Sequence, residues 1–245
     1  MPTVDRYRKW GWGLGIATVT AVTAYSLASW QANAAPSAPP ASPAAAEQAR
    51  VSDPSPVPEA ATGTGSDPLT STEVDKARAI ALTPQLAANA RDVTGKAGPE
   101  YLAAELDEET GRQAEVYYYD YQAGKLYKQV VDLKTGKLAK SYSAAGMQPP
   151  ASPQEAKTAL ELFVANPLSA DFKAAFRKAT GKTFAGTDGI EPIAHIYTSK
   201  PADRGATQCG KSRCVQLIVK TADGHFINVT EIVIDLSGRT VARLK

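Results

Sequence analysis

One pattern occurs twice in this chain, and its recurrence restricts the available folds more than any single segment does. Thr70 followed by Glu73, and Ser152 followed by Glu155, have the spacing of a capping box. In that motif a hydroxyl and a carboxylate reciprocally close the first turn of a helix. Downstream of each start comes a second matching phrase, Val131-Asp-Leu-Lys-Thr-Gly-Lys-Leu138 and Ile234-Asp-Leu-Ser-Gly-Arg-Thr-Val241. Capped helix, strands, then Asp-Leu, a turn, a basic and an apolar residue therefore recur, which predicts a degenerate tandem repeat. The seam lies in the stretch Val130–Gly181, where one unit ends on a hairpin and the next opens on a helix.

The first unit is expected over residues 67–148. Val74, Ala77, Ile80 and Ala81 give a helical apolar face, and a short helical piece follows at Gln85–Ala90. After Gly98-Pro99 the pattern turns strand-like, at Tyr101–Leu106, Ala114–Tyr121, Lys125–Leu133 and Lys137–Ser143. A polar turn at Asp107–Gly111 and turns holding Gly124 and Gly136 fit an antiparallel meander. The second, longer unit is expected over 149–245. Ala156, Ala159, Leu160, Phe163 and Val164 line its first helix, which Asn166-Pro167 stops. Ser169 is expected to cap another helix, with Phe172, Ala175, Phe176 and Ala179 inward and Gly181 at its end. Strands are expected at Ile190–Thr198, Val215–Thr221, Phe226–Asp235 and Thr240–Leu244. The fold class is thus α+β, with two tandem domains, each a helix packed on a curved antiparallel sheet of about four strands.

The N-terminal quarter reads as an address and a tether. Arg6, Arg8 and Lys9 precede an uncharged stretch from Trp10 to Trp30, and Ala32-Asn33-Ala34 supplies small residues for a cut after Ala34. Residues 1–34 are expected to act as a secretory signal peptide or, uncut, as an anchor. Both place the remainder outside the cytoplasm, secreted or periplasmic in the first case and facing outward from a membrane in the second. Residues 35–66 hold Pro36, Pro39, Pro40, Pro43, Pro54, Pro56 and Pro58 among Ala, Ser and Gly, the composition of a disordered spacer.

Chemistry-bearing residues are few. The 27 Lys and Arg nearly balance the 25 Asp and Glu, without a basic stripe, which argues against a nucleic-acid partner. The chain has two cysteines and two histidines. In an exported protein, Cys209 and Cys214 are expected to form a disulfide; the alternative is a metal site with His195 and His225, whose spacing matches no usual zinc pattern. Alternation puts Tyr117, Tyr119 and Tyr121 on one face of a strand. They are a candidate contact surface, with ordinary packing against the second unit as the alternative. Gly181-Lys-Thr183 lacks the earlier glycine of a phosphate loop, whose place is taken by Phe176, no Gly-x-Ser-x-Gly elbow occurs, and Asn228-Val-Thr230 is a glycosylation sequon inside an expected strand, where no modification is expected. No catalytic, cofactor-binding or metal residue is assigned.

The segments Asp67-Pro-Leu-Thr70, Val131-Asp-Leu-Lys-Thr-Gly-Lys-Leu138, Gly146-Met-Gln-Pro-Pro150 and the following helices to Ala174-Ala-Phe-Arg-Lys178 resemble the non-catalytic N-terminal region of copper amine oxidases. The resemblance implies a pair of cystatin-like domains. It does not bring the chemistry. That family holds copper with three histidines, and its quinone arises from a tyrosine preceded by asparagine, whereas no tyrosine here follows an asparagine. A cystatin-type inhibitor would need a Gln-x-Val-x-Gly tip, and Gln129-Val-Val-Asp-Leu133 lacks the glycine. The expectation is an exported non-enzymatic binding or interaction module with an unknown protein partner. The alternative is an accessory or metal-handling partner of a separately encoded copper or amine-oxidising enzyme. Membrane contact is expected only through an uncut N-terminal segment.

Overall fold

The computed structural model describes residues 60–107 and 111–244. The expected signal segment, the tether up to residue 59 and the turn residues 108–110 lie outside the described residues. Helix α1 (Ser71–Ala81) opens on the predicted box: Thr70 Oγ1 accepts from the Glu73 N–H at 3.2 Å, and the Glu73 carboxylate accepts from the Thr70 N–H at 3.0 Å. A short helix α2 (Pro84–Asn89) follows, with Pro84 at its start, where a missing N–H costs nothing. Strands β1 (Glu100–Asp107), β2 (Gln113–Asp120), β3 (Lys125–Asp132) and β4 (Lys137–Ala145) then form a four-stranded antiparallel meander in sequence order. Ala77, Ala81 and Leu86 pack against Ala114, Val116, Tyr118 and Val131 on one face of that sheet. The alternation of β2 sends Tyr117 and Tyr119 to the other face.

A crossover through Gly146–Ala151 leads to the second box, where Ser152 and Glu155 exchange bonds of 3.0 and 2.7 Å to open α3 (Pro153–Ala165). Helix α4 (Ala170–Thr180) follows and ends on Gly181 in the left-handed region at φ 71°. Ser169 does not cap it. The Ser169 hydroxyl donates back to the Val164 and Asn166 carbonyls, and Asn166 caps the intervening single turn by accepting from the Leu168 N–H at 3.0 Å. Ala175 and Ala179 are exposed, not inward; α4 is held by Phe172 and Phe176, which cluster with Phe163 and Phe184.

The second sheet contains β5 (Ile190–Tyr197), β6 (Cys214–Thr221), β7 (Phe226–Ile227), β8 (Ile232–Asp235) and β9 (Thr240–Arg243). Its order is β5-β6-β8-β9, with β7 also on β6. The strand expected over Phe226–Asp235 is broken in the middle. From the pair Val219–Ile227 to the pair Val215–Ile234, β6 advances four residues while its neighbour advances seven. The surplus loops out, and the Gln216 amide props it by donating to the Thr230 carbonyl. The sequon at Asn228 therefore sits in this exposed break and not within a strand; its Oδ1 accepts from the Thr230 N–H and hydroxyl. Two helix-plus-sheet units thus follow one another, in an α+β architecture. Val93, which lies before β1, is buried in the core of the second unit with Leu160, Phe163, Leu217 and Ile234.

Candidate functional site

Each capping-box glutamate does a second task. Arg112, immediately before β2, donates to the Glu73 carboxylate at 2.7 and 2.5 Å and to the carbonyls of Gly65 and Asp67 at 3.2 and 3.0 Å. Arg213, immediately before β6, donates to Glu155 at 2.5 and 2.8 Å and to the carbonyls of Pro149 and Pro150 at 3.0 and 3.1 Å. Both arginines thus tie the chain ahead of a helix to that helix's own cap, by the forked geometry that guanidinium offers a carboxylate. The hydrogen bonds from Arg112 outweigh burial and hold the Glu73 carboxyl down at about 2. Residues 60–66, expected in the tether, take part: the Thr70 hydroxyl donates to the Ala61 carbonyl at 3.1 Å.

The second knot is fully buried, with Arg213 and Glu155 both at 0% exposure. Isolated, either charge would be costly there. The first unit completes their shell. Tyr121 donates to a Glu155 carboxylate oxygen at 2.5 Å, and the Arg213 guanidinium lies 5.1 Å from the Tyr119 ring centroid. Burial, followed by the Glu155 charge, pushes the Tyr121 phenol far up. Beside it Glu100 accepts from the Ser152 hydroxyl at 2.6 Å and the Gln154 amide at 3.0 Å. Burial raises its carboxyl pKa, the Ser152 bond opposes this, and the Glu155 charge adds to it.

Above this joint, the sheet face opposite α1 carries a cleft of ≈ 450 Å³. Ala103, Glu105, Tyr117 and Leu126 line it from the sheet, and Met147 and Pro149 from the crossover. The Tyr117 hydroxyl donates to Glu115 at 2.6 Å, and Lys128 pairs with the other oxygen of Glu115 at 2.5 Å. Burial, then the Glu115 carboxylate, raises the Tyr117 phenol. An apolar floor with a carboxylate at its side suits a side chain that is aromatic or aliphatic along its length and neighbours a cation. A smaller cavity of ≈ 200 Å³ opens at the break between β7 and β8. On its rim Arg243 engages both Asp171 and Glu231, at 2.6 and 3.6 Å.

The three candidate tyrosines thus part company: Tyr117 lines the cleft, Tyr119 lies 2% exposed beneath Arg213, and Tyr121 bonds Glu155. Cys209 and Cys214 form the disulfide, with their Cα atoms 5.4 Å apart. His195 and His225 are exposed on β5 and at the turn before β7. Among the described residues no group of three or more His, Cys, Asp and Glu side chains is placed to hold a metal ion, and no helix is long and apolar enough to cross a membrane. Sequence reasoning missed Arg112 and Arg213. The signal existed: each is the arginine directly preceding the second strand of its unit.

No family model matches the chain, and no curated protein does. Among solved structures the chain is similar to a copper-containing benzylamine oxidase from Hansenula polymorpha, at 16% identity and a TM-score of 0.40. The match covers 74% of this chain and 29% of that one, so the chain spans less than a third of the enzyme's length. A likeness at this level carries no inference about activity.

Proposed function

We propose that the chain is an exported, non-enzymatic interaction module built of two tandem cystatin-like units, each a helix on a curved sheet, and that it works through protein contacts. The observation supporting this reading is the engagement of its charged groups. The buried Glu73, Glu155 and Arg213 and the half-buried Arg112, at the joint and the caps, bond one another and the backbone around them, as scaffold groups do. What remains open to a ligand is shape and apolar surface in the cleft.

A separately encoded copper or amine-oxidising enzyme is the partner to test first. In such a pairing this chain would contribute surface and not thiolate ligands, since both sulfurs are joined to each other. The test is an assay of the purified full chain, supplied with copper(II), against a panel of primary amines with hydrogen peroxide release as readout. No release above the buffer rate is expected. Sustained turnover would overturn the reading.

A further inference from the structure

Strands β1 and β4 are the two edges of the first sheet. The pairings across the sheet define rows that run from one edge to the other. One row is Glu105, Glu115, Val130, Lys140; a neighbouring row is Ala103, Tyr117, Lys128, Tyr142. Both lie on the cleft face, because Tyr117 and Glu105 line the cleft while Val116 and Tyr118 pack on α1. At the β4 end of these rows stand an exposed lysine and a tyrosine that is 51% exposed. At the β1 end stand an exposed glutamate and an open apolar cleft. Neither Lys140 nor Glu105 has an ion pair among the described residues.

We propose that a second copy of this chain docks edge to edge, β4 of one molecule beside β1 of the next, seating Tyr142 in the neighbour's cleft and pairing Lys140 with the neighbour's Glu105. The meander makes β4 antiparallel to β1, so a neighbour placed beside it by translation along the rows continues the antiparallel sheet without reversal. The complementarity is in register. The row that ends in Lys140 on one molecule begins with Glu105 on the next, and the row that ends in Tyr142 begins with Ala103 at the cleft. Leu138 falls in the row of Leu106 on the opposite face, past the bulge that shifts the β3–β4 register between Val130 and Val131. Met147, itself 52% exposed, lines the cleft and is covered when the ring enters. A symmetric pairing of β4 on β4 gives Lys140 no carboxylate and Tyr142 no cleft. The interface is heterologous, so it propagates head to tail unless its rotation closes a ring. A lysine on an edge strand ordinarily discourages pairing; here it selects an edge that offers a carboxylate.

This goes beyond the interaction-module reading and fails independently of it, since self-association is measured without any enzyme assay. Sedimentation velocity of the purified full chain over a concentration series is expected to show reversible association that weakens with salt. Tyr142→Ser and Lys140→Glu are each expected to weaken it by about tenfold or more, the scale of losing an anchor residue at an interface. Lys140→Glu and Glu105→Lys chains, each weakened alone, are expected to associate more tightly when mixed, and the double variant in one chain to regain association. For geometry, a Tyr142→Cys chain mixed with an Ala103→Cys chain is expected to crosslink between the two. A monomer at every concentration, association indifferent to these substitutions, or preferred crosslinking of two Tyr142→Cys chains would each overturn the proposal.

Discussion

Arg213 and Glu155 are tolerable in their fully buried position only while both are present. Truncating either leaves the other charge buried without its counter-charge. Glu155→Ala is expected to destabilise the protein by about 3–5 kcal/mol, read as a fall in the urea midpoint. Arg213→Met together with Glu155→Leu should cost markedly less than the two single changes added, because it removes both charges at once. Glu73 and Arg112 form the more accessible version of the same pair, with side-chain exposures of 4% and 16%. The Glu73 carboxyl is held at about 2 against an ordinary 4.5. A lowered folded pKa means that its stabilisation is present above 4.5 and lost as pH falls towards 2. The stability gap between wild type and Glu73→Gln should therefore close over that window in denaturation curves recorded at successive pH. Gln129 shows the opposite situation: it is buried, and its Oε1 has no hydrogen-bond partner among the described residues. Gln129→Leu is expected to raise stability by about 1 kcal/mol, by removing an unsatisfied acceptor. At this scale the sequence revealed the carboxylates of the caps but not their arginines. Capping is a local rule of three residues' reach, whereas Arg112 and Arg213 meet their glutamates across separations of 39 and 58 residues.

Among the elements, the first sheet was legible almost throughout, since alternation and glycine turns are short-range signals and all four strands begin or end within two residues of expectation. The break between β7 and β8 was not. Val229, Ile232 and Ile234 are all buried, so the looped residues keep an apolar pattern that reads as continuous strand. Helix α4 misled for a different reason: alanines at helical spacing look like a buried stripe, but Ala175 and Ala179 are exposed among the described residues. The two hairpin turns of the repeat differ instructively. Gly136 occupies a left-handed position at φ 66°, and the matching position in the second unit is Arg239, at φ 52°. The left-handed conformation costs a residue with a side chain about 1–2 kcal/mol. Arg239 offsets some of this by donating to the Val93 carbonyl at 3.1 Å. Arg239→Gly should therefore be nearly neutral, losing the bond but relieving the backbone, while Arg239→Ala keeps the strain and should cost about 1 kcal/mol. Thermal midpoints of the two variants side by side test this.

For the whole molecule, the seam between the units is the least sequence-legible feature. Periodicity predicted two units and where each begins, but it is silent on what is buried between them. Val93 and Tyr121 from the first unit pack into the core of the second, and Tyr119 lies under Arg213. Such sharing couples the two halves energetically. Urea unfolding followed by circular dichroism and by tyrosine fluorescence should give one coincident transition; two separated transitions would show that the seam does not couple the units.

Cys214 directly follows Arg213, and the loop it closes holds that arginine at the head of β6. The crosslink therefore governs more than its own small loop. Closing so short a loop is worth only about 2 kcal/mol in itself, yet reduction also frees the backbone that aims the guanidinium at Glu155 and Tyr119. A newly made chain in a reducing compartment would hold its two halves together loosely, and oxidation would then act as a final assembly step, after which the halves behave as one body.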